Sequence, residues 1–266
     1  MSTLPLGRPI ALGRTAEIYA WNAEQVLKLF RDGWPAASVE YEARIARTIQ
    51  AAGLPVPAVG EVIEISGRHG LIYERVVGRS MLDSFRGQPW TLVRFAQMLT
   101  DLHVAMHDRS VPELPSRRKR LEQNIRGAGA LSPELAEAAL HILHTLPDGD
   151  RLLHGDFHPD NILLTAQGPI IIDWNDAATG HPLADVARTS LLLRVGALPP
   201  GTAARWLIAA GRRLFHMIYL NRYFRLRPGD RRQLTAWQTV VAAARLRESI
   251  PEERDRLLGL VKAGVS

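Results

Sequence analysis

Three polar side chains in one short stretch of the chain have the types and the spacing that phosphoryl transfer requires. Asp156 and Asn161 are five residues apart, and Asp173 follows about a dozen residues later, after the apolar run 170–172. In kinases, one carboxylate accepts or orients the proton of the attacking hydroxyl, while an Asn and a second carboxylate hold Mg²⁺. The pattern therefore predicts that one of Asp156 and Asp173 serves the acceptor hydroxyl and that the other holds Mg²⁺ together with Asn161.

Short apolar runs flank these residues and predict the elements that position them. Residues 152–153 and 162–164 are apolar, and the turn-rich residues 165–169 precede the run 170–172. This alternation predicts strand, loop, strand, turn and strand, with Asp173 where the last strand ends. An alternative interpretation is a hairpin in which Asp and Asn only form turns.

A second signal lies near the start of the chain. Residues 11–21 predict two strands joined by a turn, and residues 25–30 predict a third strand that carries Lys28. A kinase places on that strand the lysine that pairs with the α- and β-phosphates of the nucleotide. The alternative interpretation is an ordinary strand lysine on the protein surface.

The next segment predicts a helix that supplies Lys28 with a partner. Pro35 suits the first turn of this helix, and Gly53 marks its end. Glu42 shares a helix face with apolar residues three, four and seven positions later, whereas Glu40 shares its face with arginines. Because a buried carboxylate without a partner is costly, we expect an ion pair between Glu42 and Lys28.

Phosphate contacts are predicted at the turn that follows the first strand. Gly13 is the only glycine there, so the full G-x-G-x-x-G pattern is absent. Backbone N–H groups around this turn would then bind the phosphates, together with the hydroxyl of Thr15.

Adenine contacts are predicted where the first group of strands ends. Residues 61–78 predict a β-pair that leaves the sheet at Gly78, and the backbones of Glu74 and Val76 would face the base. We expect a nucleotide-binding lobe over residues 1–76 and a helical catalytic and substrate lobe over residues 77–266.

The composition is that of an ordinary globular protein. Of 266 residues, 46% are hydrophobic and 23% are charged, and cysteine is absent, which excludes disulfides and thiolate metal sites. No apolar run approaches the ~20 residues of a membrane span, and the first residues lack a signal-peptide pattern. We therefore expect a soluble, cytoplasmic protein with no membrane partner.

The net charge of +6 comes almost entirely from arginine, since the chain has three lysines among 33 basic residues. Basic clusters at residues 117–120 and 222–232, the second containing aromatic side chains, suit nucleic acid. An anionic small ligand or a solvated surface suits them better, so nucleic acid is an unlikely partner. Nothing in the sequence indicates the oligomeric state.

Seven sequence blocks together resemble the aminoglycoside phosphotransferase and choline kinase-like family. They are the Gly13 turn, Lys28, Glu42, residues 53–57, residues 73–78, residues 154–161, and residues 172–174 with the following 180–187. The resemblance implies an α+β, bilobal protein-kinase-like fold, with a small β-rich N-lobe and a larger, mainly helical C-lobe. It also implies Asp156 as catalytic base, Asn161 and Asp173 as Mg²⁺ ligands, Lys28 as phosphate-binding lysine, and Glu42 as its anchor.

The function implied by this resemblance is that of an ATP-dependent phosphotransferase. Such enzymes use ATP and Mg²⁺ to phosphorylate a hydroxyl of a small molecule, either an antibiotic or a metabolite; ATP and GTP are not distinguished. Aminoglycosides are polycations, so their pockets should be rich in carboxylates. The C-terminal third carries several acids but follows a basic segment, and we expect a neutral or anionic acceptor instead. Candidates for the positive charge of this pocket are Arg222, Arg225, Arg245 and Arg247, with Trp237 at its rim. A pocket lined mainly by Glu248, Glu252 and Asp255 would contradict this expectation.

Two other classes remain open. His154, Asp156, His158 and Asp173 have the types of a transition-metal site in a hydrolase. A nucleotide-binding module of the same fold without catalysis would explain the glycine-poor turn. Within the kinases, no A-P-E-type segment follows Asp173 to bind a peptide substrate.

Structural roles are expected for three further residues. His103 lies on the apolar stripe of a helix predicted over residues 92–106, which favours a hydrogen-bonded core histidine over a catalytic one. His154 is expected to brace the catalytic loop, and Asp185 to fix that loop through backbone hydrogen bonds. His158 suits either phosphate contact or packing.

Overall fold

The computed structural model describes residues 6–13, 15–195 and 205–265. Its strands are β1 (Ala11–Leu12), β2 (Ala16–Ala20), β3 (Gln25–Phe30), β4 (Val59–Ile65), β5 (Arg68–Glu74), β6 (Arg79–Ser80), β7 (Arg151–Leu153), β8 (Ile162–Thr165), β9 (Gly168–Ile171) and β10 (Ala178–Gly180). Its helices are α1 (Ala36–Ala51), α2 (Met81–Gly87), α3 (Leu92–His107), α4 (Arg117–Arg126), α5 (Pro133–Thr145), α6 (Pro182–Val195), α7 (Arg205–Leu226), α8 (Arg231–Arg245) and α9 (Pro251–Val265).

The chain divides into two compact units. The first comprises Met1–Met81 and Asp160–Asn175, and the second comprises Leu82–Pro159 and Asp176–Ser266. The chain therefore passes from the second unit to the first within the predicted catalytic loop. The lobe boundary predicted between residues 76 and 77 stays a prediction.

The first unit is built on a five-stranded antiparallel sheet with the strand order β1-β2-β3-β5-β4. Alternate side chains of β3 point to opposite faces, as the pleat requires. Phe30 packs with Val39 and Ala43 of α1, whereas Leu27 and Leu29 belong to a separate apolar cluster. Lys28 shares the parity of Phe30 and therefore faces the side of the sheet on which α1 lies.

The predicted end of the second hairpin strand is wrong. β5 ends at Glu74 rather than at Gly78, and β6 then pairs with β8 in a separate sheet of order β6-β8-β9. A Cβ atom at Gly78 would lie 2.6 Å from the carbonyl oxygen of Leu164. Gly78 is thus needed for the close approach of two backbones rather than for leaving the first sheet.

The second unit is mainly helical. α8 packs against α4, α5, α6 and α9, and α3 packs against α7. The helix predicted over residues 92–106 is confirmed as α3. Antiparallel pairing of β7 with β10 supports the start of the predicted catalytic loop. Trp237 of α8 is fully buried and stacks on His181, so it belongs to the core rather than to a pocket rim.

No helix within the described parts of the chain combines the length and the apolar character needed to cross a membrane.

Candidate active site

One cluster of charged side chains in the first unit brings together several predicted residues. The Lys28 Nζ lies 2.7 Å from Glu42 Oε1 and 3.9 Å from Asp173 Oδ1. Tyr73 donates its hydroxyl to the same Glu42 oxygen at 3.0 Å. Glu42 is 7% exposed, so the predicted inward face of α1 and the predicted ion pair are both confirmed. We call Lys28, Glu42, Tyr73 and Asp173 the lysine cluster.

The protonation state of Tyr73 stabilises its hydrogen bond to Glu42. Burial, together with the nearby negative charge of Glu42, raises the pKa of Tyr73 well above its usual value. The phenol therefore stays protonated and remains a hydrogen-bond donor at neutral pH. Glu42 thus has two fixed donors, whereas the ammonium of Lys28 has three donors and makes one short bond to a carboxylate.

The two predicted metal ligands also lie in the first unit. Asp173 follows β9 with a φ of 63°, in the left-handed region that non-glycine residues rarely adopt. Its side chain is 48% exposed, and Asn175 donates to its Oδ1 at 2.9 Å. The backbone oxygen of Asn161 accepts from Ile172 N–H at 3.0 Å and joins the two segments.

The donor set offered by Asn161 and Asp173 fits a hard cation. A carboxylate and an amide oxygen are the ligand types that Mg²⁺ prefers, and Mg²⁺ usually completes its octahedron with water and phosphate oxygens.

The predicted phosphate-binding turn is tight. The N–H of Gly13 donates to the Ala16 carbonyl at 2.9 Å, and the Thr15 carbonyl accepts from Arg31 N–H at 3.0 Å. Arg14 lies outside the described residues. A nucleotide contact at Gly13 or Thr15 stays a prediction.

The predicted adenine-binding residues follow β5. Glu74 N–H donates to the Ala58 carbonyl at 2.8 Å, and the Glu74 carboxylate accepts from Ala58 N–H at 3.0 Å. Within the described part of the chain we find no hydrogen bond to the Val76 backbone. Of the two residues, Val76 is therefore the one whose backbone N–H has no partner among the described residues and is available to a ligand.

In the second unit, Asp156 belongs to a cluster of arginines and acids that the sequence did not predict. Arg188 Nη2 donates to Asp156 Oδ1 at 3.0 Å and to Glu248 Oε1 at 2.9 Å. Arg245 binds Glu253 through two nitrogens at 2.5 and 2.9 Å, and it also reaches Glu248 at 3.1 Å. We call these five residues the arginine cluster.

These contacts sort the acceptor-pocket residues proposed from the sequence. Arg245 and Glu248 are brought close to Asp156 through Arg188. Arg222 instead forms a surface pair with Asp101 at 2.6 Å. The remaining candidates, Arg225, Arg247, Glu252 and Asp255, are exposed.

Asp156 stays ionised in this environment. Burial alone would raise its pKa, but the hydrogen bond to His158 and the charge of Arg188 outweigh burial. Together they hold the pKa of Asp156 well below its usual range. The carboxylate is therefore a permanent hydrogen-bond acceptor at neutral pH, and a weak base in the absence of substrate.

Asp185 of α6 holds the predicted catalytic loop through backbone hydrogen bonds. It is fully buried, and its two oxygens accept the backbone N–H groups of His154 and Gly155 at 2.7 and 2.8 Å. Nδ1 of His154 accepts from Asp156 N–H at 3.2 Å. The loop-fixing roles expected for Asp185 and His154 are thus confirmed.

Two further histidines complete a buried polar network around Asp185. His103 Nε2 lies 3.1 Å from Asp185 Oδ2, and His107 Nε2 lies 3.5 Å from the same atom. Nδ1 of each ring pairs at 2.7 Å with a hydroxyl of α7, His103 with Tyr219 and His107 with Tyr223. We call these five residues the histidine network. The core position and hydrogen bonds expected for His103 are confirmed.

Three members of the histidine network, His103, His107 and Asp185, form the one group of His, Asp or Glu residues, among those that the structure describes, with ligand atoms close enough for a metal ion. Tyrosine hydroxyls and backbone N–H groups already occupy the other polar atoms of these side chains. Burial lowers the pKa of His107 to about 3, so its ring is neutral. His154, Asp156 and His158, three of the four residues named for the hydrolase alternative, form no such group among the described residues.

Known proteins resemble this chain in sequence and in fold. The profile of the "Phosphotransferase enzyme family" matches residues 7–228. A local match to the Gallus gallus acyl-CoA dehydrogenase family member 11 has 41% identity over 61 residues, which is 21% of this chain but only 8% of that protein. The Homo sapiens protein of the same name matches over 65 residues at 35% identity, again 8% of its length.

Solved structures share the fold over nearly the whole chain. A thermostable mutant of the aminoglycoside phosphotransferase APH(4)-Ia, crystallised with ADP and hygromycin B, has a TM-score of 0.68 at 17% identity and covers 97% of this chain and 92% of its own. A choline/ethanolamine kinase family protein from Mesorhizobium loti has a TM-score of 0.59 at 17% identity, with coverages of 98% and 88%. These likenesses confirm the predicted α+β, kinase-like fold. From the profile match over most of its length, the chain belongs to the phosphotransferase enzyme family.

Proposed function

We propose that this phosphotransferase is an ATP-dependent kinase that phosphorylates a hydroxyl group of a small molecule. The observation that carries the proposal is Lys28, which is joined to the buried Glu42 and lies 3.9 Å from Asp173. A cation beside an exposed carboxylate suits a phosphate chain with its metal. The ADP and hygromycin B bound to the related aminoglycoside phosphotransferase agree with a nucleotide donor and a small acceptor.

The residues of the first unit bind the nucleotide in this proposal. Lys28 donates to the α- and β-phosphates, and Glu42 holds the ammonium in place. Asn161 and Asp173 would hold Mg²⁺, which would supply positive charge to neutralise the phosphate oxygens. Gly13 and Thr15 line the phosphates, while Glu74 and Val76 face the base.

Asp156 acts on the acceptor. Its carboxylate accepts a hydrogen bond from the acceptor hydroxyl and so orients the oxygen toward the terminal phosphorus. As the new O–P bond forms and the bond to ADP breaks, the hydroxyl becomes acidic and its proton passes to Asp156. Arg188 keeps the carboxylate ionised and in one orientation until that moment.

Calorimetric titration of the protein with ATP, with Mg²⁺ and with excess chelator, tests the nucleotide half of the proposal. We expect metal-dependent binding that Lys28→Ala weakens about 10-fold or more, as loss of a charge-assisted contact predicts. Lys119→Ala, which removes an exposed lysine of α4, is the matched control and should bind normally. Absence of ATP binding by the wild-type protein would rule out the proposed function.

A further inference from the structure

A polar cleft in the second unit lies beside Asp156. Its empty volume, open to solvent, is about 320 Å³. The residues that line it come from α4, α6, α8, the short turn after α8 and the segments around the proposed catalytic loop. They are Arg117, Arg120, Leu121, Asn124, Gly155, Asp176, Arg188, Val241, Ala244, Arg245 and Glu248. Gly155 precedes Asp156 in the chain, and Arg188 binds its carboxylate, so the cleft borders the proposed catalytic residue.

Four guanidinium groups and two carboxylates line this cleft, and three of the four arginines have an acidic partner. Arg120 lies 3.1 Å from Asp176. Arg188 and Arg245 share Glu248 at 2.9 and 3.1 Å. These pairs neutralise one another and hold the walls of the cleft in place.

Arg117 is the exception. It is 6% exposed, yet among the described residues no carboxylate oxygen lies within 4.0 Å of its guanidinium, and its Nε is buried without a hydrogen-bond partner. Burial lowers the pKa of Arg117, although Asp176 and Asp185 partly oppose this from longer range. Guanidinium does not deprotonate at neutral pH, so the charge remains and lacks a direct counter-ion.

A buried charge without a partner is strongly unfavourable. The aliphatic part of the Arg117 side chain packs against Gly180. A Cβ atom added at Gly180 would lie 2.9 Å from the Arg117 Cβ. Stem packing does not require a charged end, and an unbranched apolar side chain would pack as well. Packing against the described residues therefore does not explain why a charged side chain occupies this position.

We propose that the acceptor of this kinase carries a carboxylate group, which Arg117 binds while the acceptor hydroxyl lies at Asp156. This rests on the proposed function and deepens it. One cation without a direct partner matches one negative charge, and guanidinium binds a carboxylate through two parallel hydrogen bonds. A polycation would instead add positive charge next to Arg117. The substrate class is thus a small hydroxy acid.

Matched acceptors test this inference. The panel contains hydroxy acids of increasing size, beginning with glycerate, each paired with its primary amide, its amine analogue and its phosphate analogue; ADP release is measured with Mg²⁺ and ATP. We expect kcat/KM for the best acid to exceed that of its amide and amine about 10- to 100-fold, the range for a charge-assisted contact. Preference for the amide or the amine would overturn the inference, and preference for the phosphate would overturn its assignment to a carboxylate.

Variants of α4 provide the second arm. Arg117→Met keeps the stem and removes the charge, and it should raise KM for the best acid about 10- to 100-fold while kcat and ATP binding change little. Arg117→Lys should restore part of the affinity. Lys119→Met, two residues away and exposed, is the control with no expected effect.

The same variants separate substrate binding from a structural role. Thermal unfolding of Arg117→Met without ligand should be unchanged or at higher temperature, because the buried unpaired charge is gone. A lower unfolding temperature combined with an unchanged KM for the acid would show that Arg117 is structural and overturn the inference. Failure of the wild-type protein to bind ATP would refute the proposed function itself, whereas ATP binding with a neutral or cationic preference would refute only the hydroxy-acid assignment.

Discussion

The lysine cluster and the arginine cluster use positive charge in different ways. In the first, one ammonium has a short contact of 2.7 Å with Glu42 and a long one of 3.9 Å with Asp173, which is half exposed. In the second, two buried guanidinium groups bind Asp156, Glu248 and Glu253 at 2.5 to 3.0 Å. A compact ammonium can turn toward a ligand, whereas a planar guanidinium with several fixed bonds cannot. The lysine cluster is therefore suited to binding a ligand, and the arginine cluster to holding its own carboxylates in fixed positions.

Asp156→Asn tests this division most strongly. Asparagine keeps the size of the side chain but cannot accept the acceptor's proton, so we expect kcat to fall about 10²- to 10⁴-fold. ATP affinity should stay within about twofold, because the nucleotide is assigned to the lysine cluster. Asp160→Asn, an exposed position of the same loop, is the control. Loss of ATP binding in the Asp156 variant would contradict the separation of the two clusters.

Asp185→Asn should lower the free energy of unfolding more than a substitution in the lysine cluster or the arginine cluster. The amide cannot accept both loop N–H groups as well as the two histidines, so a buried network loses its charge and its matching donors. We expect the free energy of unfolding in urea to fall by about 3–5 kcal/mol. Asp101→Asn, which breaks a surface pair with Arg222, should cost less than about 1 kcal/mol. Equal losses for the two variants would disprove the holding role of Asp185.

A double-mutant cycle of Lys28→Met and Glu42→Gln measures how strongly the lysine cluster is coupled. We expect a coupling free energy of about 1–3 kcal/mol in urea unfolding, since both side chains are mostly buried. The exposed pair Arg86–Asp83 serves as the reference and should give no more than about 0.5 kcal/mol. If the two pairs couple equally, the buried pair has no special contribution to the fold.

The smallest effect is expected from pH. Burial lowers the pKa of His107 to about 3, against 6.5 in the unfolded chain. Between these values the unfolded chain binds the additional proton, so stability falls as the pH falls. From pH 6.5 to pH 5 the loss is at most about 2 kcal/mol. His103 and Arg227 also disfavour the charged ring, whereas Asp185 favours it.

His107→Gln should remove this part of the pH dependence in urea unfolding measured between pH 5 and pH 8. His141→Gln, on the helix α5 and exposed to solvent, is the control and should leave the slope as it is. A slope that is identical in wild type and His107→Gln would mean that folding does not change the pKa of His107.

Lys28 and Glu42 could be paired from the sequence because both directions are set by local periodicity. β3 alternates every two residues and α1 repeats every 3.6, and each element has one apolar face. The strand, loop and strand around Asp156 were predictable from another local signal, because turn residues separate the short apolar runs.

The direction of the Arg188 side chain had no such signal. α6 is buried on nearly every side, so its sequence has no polar face from which the direction of Arg188 could be inferred. Its partners Asp156 and Glu248 are 32 and 60 residues away in the chain. Arg222 was one of four arginine candidates for the acceptor pocket but pairs with Asp101 of α3, a contact that depends on helix packing rather than on local pattern.

The paired histidines and tyrosines of the histidine network have a consequence for how α3 can dock on α7. His103 and His107 are one helical turn apart, as are Tyr219 and Tyr223, and both pairs have a sequence separation of 116. If one helix slid along the other by a single turn, one ring nitrogen and one hydroxyl would be left buried without a partner, at a cost of about 1–3 kcal/mol each. The two helices therefore have one favourable alignment, and intermediate sliding positions satisfy neither pair. Both histidines contact Asp185, so this single alignment also fixes the position of Asp185 and of the loop that carries Asp156.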